Sequence, residues 1–255
     1  RRQRQMCIRD RLRLEFILSD YCNLNCKGCT HYSPLAPREF EPIEQLERTA
    51  AHLGAAVGKG LGSVYLIGGE TLLYPHLPEA MGILRKYFPD TRILLFTNGI
   101  LLPKMAPEFW ESARRNKVVM AVTRYPVAFD YDAAEALCRA EGVGCEIFGD
   151  RGGDGAFFRF SLDPQKRQNG RLSHFKCFNR GCISVIGDKV YPCSISACVR
   201  HLNGACGTKF EHEPGDWLDV ADISDIRQIK QLRDKPVPFC GYCRPNPCLL
   251  YTSPS

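Results

Sequence analysis

Short apolar runs alternate with longer amphipathic segments from Leu12 to about residue 165 of this 255-residue chain. The apolar runs predict buried strands at residues 14–19, 63–68, 92–98, 118–123, 144–149 and 157–162. The amphipathic segments predict helices at residues 42–57, 77–88, 103–116 and 131–142. Because strands that alternate with helices form a parallel sheet covered by helices, we expect an α/β fold, either a barrel or a doubly wound sheet.

The pattern changes after Gly170, where cysteines become dense and no long helix is predicted. Residues 182–193 predict a β-hairpin that turns at Gly187 and Asp188, and residues 224–234 predict one short helix. We therefore divide the chain into a core at residues 12–165 and a small cysteine-rich lobe at residues 170–247.

Three cysteines lie within eight residues directly after the first predicted strand, at Cys22, Cys26 and Cys29. In α/β barrels the loops at the carboxyl ends of the strands build the active site. A structural zinc site normally uses four protein ligands. Buried free thiols are a second interpretation, although the loop is polar. The third is a [4Fe–4S] cluster held by three thiolates, which leaves one iron open to a substrate or cofactor.

The composition, 44% hydrophobic and 24% charged, is that of an ordinary globular protein, but fourteen cysteines are many. In a reducing compartment cysteines more often bind metal or carry out redox chemistry than form disulfides. We find neither an apolar run of about 18 residues nor the residue order of a signal peptide. The sequence therefore predicts a cytoplasmic protein with no membrane partner.

Both ends of the chain, residues 1–11 and 248–255, resemble translated sequencing-adapter read-through, and we expect neither to be native. The first eleven residues carry five arginines and one aspartate, so removing them reduces the net charge of +6 by 4, to +2. This balance gives no reason to expect a nucleic-acid partner. Cys7 and Cys248 fall in these segments and leave twelve cysteines to explain.

Three further motifs lie where the next predicted strands end. The second strand ends in Gly-Gly-Glu, the third in Thr-Asn-Gly and the fourth in Thr-Arg. Two glycines let a backbone approach a ligand closely, and a carboxylate can pair with an ammonium group. The residues concerned are Gly68, Gly69, Glu70, Thr97, Asn98, Gly99, Thr123 and Arg124.

The CX3CX2C spacing, with these motifs in order behind it, resembles the signature of the radical S-adenosylmethionine (SAM) superfamily. The resemblance covers residues 14–163 and implies a partial (β/α)6 TIM-type barrel. It implies that Cys22, Cys26 and Cys29 hold a [4Fe–4S] cluster whose open iron binds SAM. SAM is then cleaved to a 5′-deoxyadenosyl radical, which abstracts hydrogen from a substrate.

The resemblance also assigns expected roles to the other motifs. It places Gly68, Gly69 and Glu70 at the SAM amino group, Thr97 and Asn98 near the ribose, and Thr123 and Arg124 at the carboxylate. Family members usually carry an aromatic residue directly before the third cysteine, where this chain has Gly28. His31 or Tyr32 is expected to compensate, although a loop histidine often has no role.

Seven cysteines follow residue 170: Cys177, Cys182, Cys193, Cys198, Cys206, Cys240 and Cys243. Such a set is compatible with a zinc ribbon or with an auxiliary iron–sulfur cluster. The layout resembles a twitch domain, the shortened form of the SPASM extension, which implies an auxiliary [4Fe–4S] cluster. Cys177, Cys193, Cys240 and Cys243 fit its outline, and Cys182 is a substitute for Cys177. We interpret Cys198 and Cys206 as ordinary thiols, and Cys138 and Cys145 as core residues.

The layout is similar to twitch-bearing dehydrogenases of natural-product biosynthesis. This similarity implies a two-electron oxidation of a small natural-product or carbohydrate-like molecule, with flavodoxin or ferredoxin as external electron donor. One alternative is a peptide- or protein-modifying radical SAM/SPASM enzyme. An alternative of another class is a non-catalytic zinc-binding interaction module.

Overall fold

The computed structural model describes residues 12–57, 60–149, 156–245 and 248–251. Of the two segments that we expect to be adapter-derived, residues 1–11 and 252–255 lie outside this range. The strands are β1 (Leu12–Ser19), β2 (Leu61–Gly68), β3 (Arg92–Thr97), β4 (Val118–Thr123), β5 (Cys145–Phe148), β6 (Ala156–Arg159), β7 (Ile183–Ile186), β8 (Lys189–Tyr191), β9 (Leu218–Asp219) and β10 (Cys248–Tyr251). The α-helices are α1 (Ile43–Val57), α2 (Leu77–Tyr87), α3 (Pro107–Arg115), α4 (Tyr131–Ala140), α5 (Gly170–Phe175), α6 (Ser194–Cys206) and α7 (Ile226–Asp234).

Eight strands form one sheet in the order β5-β4-β3-β2-β1-β7-β8-β9. Strands β1 to β5 and β7 run parallel to one another, whereas β8 pairs antiparallel with both of its neighbours, β7 and β9. This is the expected α/β class, a parallel-rich sheet of the partial TIM type. The carboxyl ends of parallel strands meet at the same edge, so the loops that follow β1, β2, β3 and β4 lie side by side.

The core lies between this sheet and helices α1 to α4. Leu14, Val64 and Leu95 on the strands are fully buried, as are Leu53 on α1 and Leu84 on α2. Each such side chain contributes about 1.5–3 kcal/mol on burial. The strands read as nearly continuous apolar runs because helices or loops cover both faces of the sheet.

The structure differs from our prediction of a sixth strand in the large sheet. Residues 156–159 form the strand and pair antiparallel with β10 instead of joining the large sheet, and Leu162 makes only an isolated bridge to Cys243. The place beside β1 is taken by β7, with Leu14 opposite Ile183 and Phe16 opposite Val185. Ile183 and Val185 are almost completely buried, so the hairpin offers the sheet an apolar strand. The predicted hairpin is present, turns at Gly187 with φ of 58°, and continues the sheet of the core.

Helix α6 was not expected from the sequence. Its 13 residues, SISACVRHLNGAC, contain several of modest helix propensity. Tertiary packing compensates, because Ile195 and Val199 join the main core while Ala197 and Cys198 pack against Ile17 of β1. The helix ends at Gly207 in the left-handed conformation. None of the described helices is long and apolar enough to cross a membrane.

Candidate active site

The loop after β1 brings the three cysteines of the CX3CX2C motif to one cavity. Cys22, Cys26 and Cys29 all line a space of about 410 Å³, here called the cysteine-loop cavity. The backbone turns tightly within the motif, with the Cys29 amide bonded to the Cys26 carbonyl at 3.3 Å. Gly28 allows this turn because its φ of 82° is unfavourable for other residues.

Gly68 and Gly69 are explained by the protein's own backbone. A Cβ on Gly68 would lie 2.4 Å from the carbonyl oxygen of Ser19, and one on Gly69 would lie 2.3 Å from that of Tyr21. The Gly69 amide also donates to Ser19 at 2.7 Å, and the Glu70 amide to Tyr21 at 2.9 Å. The two glycines therefore let the end of β2 dock against the start of the cysteine loop, and both line the cavity.

Glu70 is 1% exposed and occupies its carboxylate with groups of the protein. Its Oε1 accepts hydrogen bonds from Thr97 Oγ1 at 2.6 Å and from the Leu72 amide at 2.9 Å. Its Oε2 accepts from the Asn98 amide at 2.9 Å. Burial raises the pKa of Glu70, and these three bonds oppose that rise. The carboxylate thus joins the end of β2 to the end of β3, beside the cavity.

Thr97 and Asn98 continue this network. Thr97 Oγ1 accepts from the Gly99 amide at 2.9 Å, and Asn98 Oδ1 accepts from the Ile100 amide at 3.0 Å. Asn98 Nδ2 donates to Asn23 Oδ1 at 2.6 Å, which ties β3 to the cysteine loop. Both residues line the cysteine-loop cavity. Asn23 was not among the predicted site residues, and its place between Cys22 and Cys26 gave no signal of this contact.

The two predicted residues at the end of β4 are used differently. Thr123 lines the cysteine-loop cavity. The Arg124 guanidinium instead bonds Asp132 at 2.8 Å and lies over the ring of Tyr131 at 5.2 Å. Tyr125, the next residue, also lines the cavity and was missed by the sequence analysis.

Aromatic side chains line the cavity although Gly28 precedes the third cysteine. Phe96, Tyr125, Phe160 and Phe178 all contribute to its wall. His31 lines it as well, and burial lowers the pKa of its imidazole to about 4, so the ring is neutral at pH 7. Tyr32 faces a neighbouring space described below.

The donor set of the cysteine loop, three thiols and no fourth described ligand in the motif, is compatible with an iron–sulfur cluster that keeps one iron open. Among the residues whose side chains are described, no three His, Cys, Asp or Glu converge on one ion. A cubane binds each thiolate to a different iron, so convergence on one point is not required. Burial raises the pKa of Cys22 to about 12 and that of Cys26 to about 11. Both thiols are therefore protonated at pH 7 without metal, and iron binding would displace their protons.

Four C-terminal cysteines line a second, narrower space, the four-cysteine cavity. Cys177 follows α5, Cys193 precedes α6, and Cys240 and Cys243 lie in and after the 3-10 turn Pro238–Gly241. Burial raises the pKa of all four thiols. Four basic side chains also line the cavity, and their charge favours thiolates there: Lys176, Arg180, Arg233 and Arg244.

Cys182 lies apart from this group. Its Sγ accepts from Arg13 Nη2 at 3.4 Å, near the start of β1, and Glu15 is buried beside it. Of the two alternatives, Cys177 and not Cys182 lines the four-cysteine cavity. Cys198 is buried in α6 and Cys206 is exposed at its end. Cys138 is buried, and its free thiol forms a hydrogen bond with the thiol of Cys145, in agreement with core roles for both residues.

A third space, the central cavity, lies between the two cysteine sites and has a volume of about 640 Å³. It shares Cys26 and Cys29 with the cysteine-loop cavity and Ile195 with the four-cysteine cavity. Phe160 lines all three spaces. Of the described residues that line the central cavity, one is charged, Lys27. The other contributors include Tyr32, Pro34, Leu35, Leu162, Leu202 and Phe210.

The radical SAM superfamily profile matches residues 16–128, which include the cysteine loop and all the motifs from β2 to β4. The chain carries a radical SAM domain. Among curated proteins, the GTP 3′,8-cyclase of Helicobacter pylori is 33% identical over 87 residues, which are 34% of this chain and 27% of that protein. The GTP 3′,8-cyclase of Sulfurimonas denitrificans is 26% identical over 125 residues, 49% of this chain and 39% of that protein. The chain thus matches only about a quarter to two fifths of the length of these relatives.

Two solved structures resemble the chain over most of its length. Native anSMEcpe with bound AdoMet has a TM-score of 0.53 at 16% identity and covers 88% of this chain and 81% of its own. BtrN in complex with AdoMet and 2-DOIA has a TM-score of 0.50 at 13% identity, with 89% and 83% covered. At these identities the likeness concerns the fold alone.

Proposed function

We propose that this radical SAM protein is an enzyme that oxidises its substrate by two electrons and uses both cysteine sites. Cys22, Cys26 and Cys29 would hold the [4Fe–4S] cluster that binds SAM, and Cys177, Cys193, Cys240 and Cys243 an auxiliary cluster. When bound, the first cluster supplies the electron that cleaves SAM to methionine and a 5′-deoxyadenosyl radical. We place the protein in the cytoplasm, where its many thiols stay reduced.

The chain's own residues prepare the cysteine-loop cavity for SAM. Backbone contacts of Gly68 and Gly69 hold the cysteine loop against β2, and Glu70 fixes the loop after β3. Thr97, Asn98 and Thr123 present polar groups to the cavity, and Phe96 and Tyr125 present aromatic faces. A polar rim with aromatic faces suits a ligand that joins an amino acid to an adenine. In this proposal Glu70 acts on SAM through the loops that it positions.

One observation carries the oxidation: the two cysteine sites differ in charge. Four basic side chains line the four-cysteine cavity, whereas no Lys or Arg is among the described residues that line the cysteine-loop cavity. Nearby positive charge favours the reduced, more negative state of a cluster and so raises its potential. A cluster at the four-cysteine cavity is therefore the better electron acceptor of the two.

The electrons balance in this scheme. One electron enters to cleave SAM, and the substrate loses one hydrogen atom to the 5′-deoxyadenosyl radical. The substrate radical then loses one electron to the auxiliary cluster and one proton, which leaves a carbonyl or an alkene. Zinc has no accessible redox state and could only hold this part of the chain together.

The central cavity is the proposed substrate site because it touches Cys26 and Cys29 on one side and Ile195 on the other. The first candidate is a small natural-product or carbohydrate-like molecule. Its lining is mostly apolar, however, with Lys27 as the charged residue among those described. This lining favours the second candidate, a peptide or protein segment with an apolar side chain. The GTP cyclases resemble only part of the chain, and one lysine is a poor match for a triphosphate.

Metal and product analysis tests the proposal. The anaerobically reconstituted protein should form 5′-deoxyadenosine from SAM with dithionite, and Cys26→Ala should abolish this. Cys206→Ser is the matched control, because that thiol is exposed at the end of α6 and should be dispensable. The proposal fails if Cys26→Ala keeps full cleavage. If the Cys22, Cys26 and Cys29 triple alanine variant carries zinc and no iron, the C-terminal site is structural and the oxidation loses its support.

A further inference from the structure

The segment from Gly170 to Gly181 exposes an unusual amount of apolar surface. Phe175 is 75% exposed, Phe178 68% and Leu172 41%. Only two other large apolar side chains in the described part of the chain are comparably exposed, Leu35 and Phe148. Exposed apolar side chains that cluster in this way mark an interaction site more often than single ones do.

The same segment is positively charged. It contains Arg171, Lys176 and Arg180, all exposed, and no Asp or Glu. Among the described residues, no carboxylate lies within ion-pair distance of these three cations. The charge of Asp234 acts on Arg180 from farther away, but Asp234 forms its ion pair with Arg233, at 2.7 Å. We call the surface formed by Arg171, Leu172, Phe175, Lys176, Phe178 and Arg180 the α5 face. An apolar centre with basic residues around it is complementary to an acidic protein surface.

The α5 face lies against both cysteine sites. Lys176, Cys177 and Arg180 line the four-cysteine cavity, while Phe178 and Asn179 line the cysteine-loop cavity. A protein bound here would therefore contact residues of the segment whose neighbours, or which themselves, line the two sites. Residues of α1, such as the exposed Arg48, line none of the three cavities.

We propose that the α5 face docks a small acidic electron-carrier protein, with a flavin or an iron–sulfur centre, which serves both clusters. This rests on the proposed function. The carrier would take the electron that the substrate radical leaves at the four-cysteine site and give one electron to the site at the cysteine loop. The sum is SAM plus substrate giving methionine, 5′-deoxyadenosine, the oxidised product and a proton, with no net consumption of reductant. Electron-transfer contacts are typically small and weak, which suits a patch of three apolar side chains.

The test compares a protein donor with a chemical one. The triple variant Arg171→Glu, Leu172→Ser and Phe175→Ser alters exposed residues that line neither cysteine site. A glutamate in the first turn of α5 also suits the helix dipole. With flavodoxin reduced by NADPH and its reductase, we expect the KM for flavodoxin to rise about tenfold and kcat at saturation to change little. Dithionite needs no docking, so dithionite-driven formation of 5′-deoxyadenosine should be unchanged.

Two controls make the test specific. Arg48→Glu reverses an exposed charge on α1, on the outer face, and should leave the KM for flavodoxin unaltered. Added salt should raise the KM of the wild type and have less effect on the triple variant, because the interaction is between exposed charges.

The outcomes separate this inference from the proposed function. An unchanged KM beside normal dithionite activity would overturn the docking face alone. A wild type that is dimeric in light scattering, with a monomeric triple variant, would show that the face binds a second copy and would also overturn it. No dithionite-driven cleavage in the wild type would overturn the proposed function and this inference together.

Discussion

Asn98 on the loop after β3 donates from its side-chain amide to Oδ1 of Asn23 in the cysteine loop, at 2.6 Å. The same Oδ1 is 3.8 Å from the thiol of Cys22, and the Asn98 backbone amide is held by Glu70 at 2.9 Å. The series of hydrogen bonds from Glu70 through Asn98 to Asn23 therefore connects the interior of the fold to the first cysteine. A cysteine loop held in this way is preorganised by the protein's own hydrogen bonds.

The first prediction concerns this pair. Asn98→Ala should shorten the lifetime of the bound cluster and lower the free energy of unfolding by about 1 kcal/mol for each of the two side-chain hydrogen bonds that it removes, the one to Asn23 and the one from the Ile100 amide. Asn23→Ala should have a similar effect. The double variant should lose less than the sum of the two, because both changes remove the same bond. Urea unfolding of the four proteins measures the coupling, and strict additivity would show that the bond contributes nothing.

The second prediction distinguishes two roles for Glu70. Glu70→Ala leaves the donors of Leu72, Thr97 and Asn98 without their buried acceptor, and each such loss costs about 1–3 kcal/mol. We expect the variant to be less stable and to bind SAM more weakly. Direct contact with the SAM amino group instead predicts weaker binding at unchanged stability. Calorimetric SAM titration and urea unfolding of the same samples decide between them.

The third prediction tests the docking of β2 against the cysteine loop. Gly69→Ala places a Cβ 2.3 Å from the Tyr21 carbonyl oxygen, so the loop must move. We expect reduced iron content after reconstitution and lower stability. Gly82→Ala in α2 is the matched control, because a Cβ there meets nothing within 4 Å. It should stabilise the protein by about 0.5–1 kcal/mol and leave the iron content unchanged.

The sequence predicted the elements of the core well because buried strands and amphipathic helices have clear periods. It could not reveal that Gly68 and Gly69 are needed for close packing against the carbonyls of Ser19 and Tyr21, since this contact joins segments that are distant in the sequence. Helix α6 was missed because its residues favour a helix only once Ile195 and Val199 are packed. The place beside β1 went to Ile183–Ile186 for a similar reason: pairing depends on tertiary context. Which cysteines meet was likewise a matter of topology.

The fourth prediction concerns pH. Burial raises the pKa of Glu15 from 4.5 to about 7, against the opposing charge of Arg13. Between pH 4.5 and about 7 the folded chain keeps a proton on Glu15 that the unfolded chain releases. The contribution of Glu15 to stability is therefore fully present below pH 4.5 and is lost as the pH rises to about 7. From pH 5 to pH 8 the wild type should lose roughly 2–3 kcal/mol relative to Glu15→Gln. Exposed Glu44→Gln should track the wild type, and parallel stability curves for wild type and Glu15→Gln would contradict the prediction.

The last prediction separates Cys177 from Cys182, which the sequence left as substitutes for one another. Cys177 lines the four-cysteine cavity with Cys193, Cys240 and Cys243, whereas Cys182 is bonded by Arg13 near the start of β1. The two proteins to compare are Cys177→Ala and Cys182→Ala. Under the proposed function, two four-iron clusters would give about eight irons in the wild type.

Cys177→Ala should fall toward about four irons, and Cys182→Ala should keep about eight. Electron paramagnetic resonance of the reduced proteins shows which cluster is lost, because only the cysteine-loop cluster should change its spectrum when SAM is added. If Cys182→Ala loses iron and Cys177→Ala does not, the loop before β7 rearranges when the cluster binds, and Arg13 must release the thiol. Equal loss in both variants would mean that neither arrangement describes the loaded site. The iron content of the Arg13→Gln variant separates these two results, since this change removes the hydrogen bond to Cys182 and keeps every thiol.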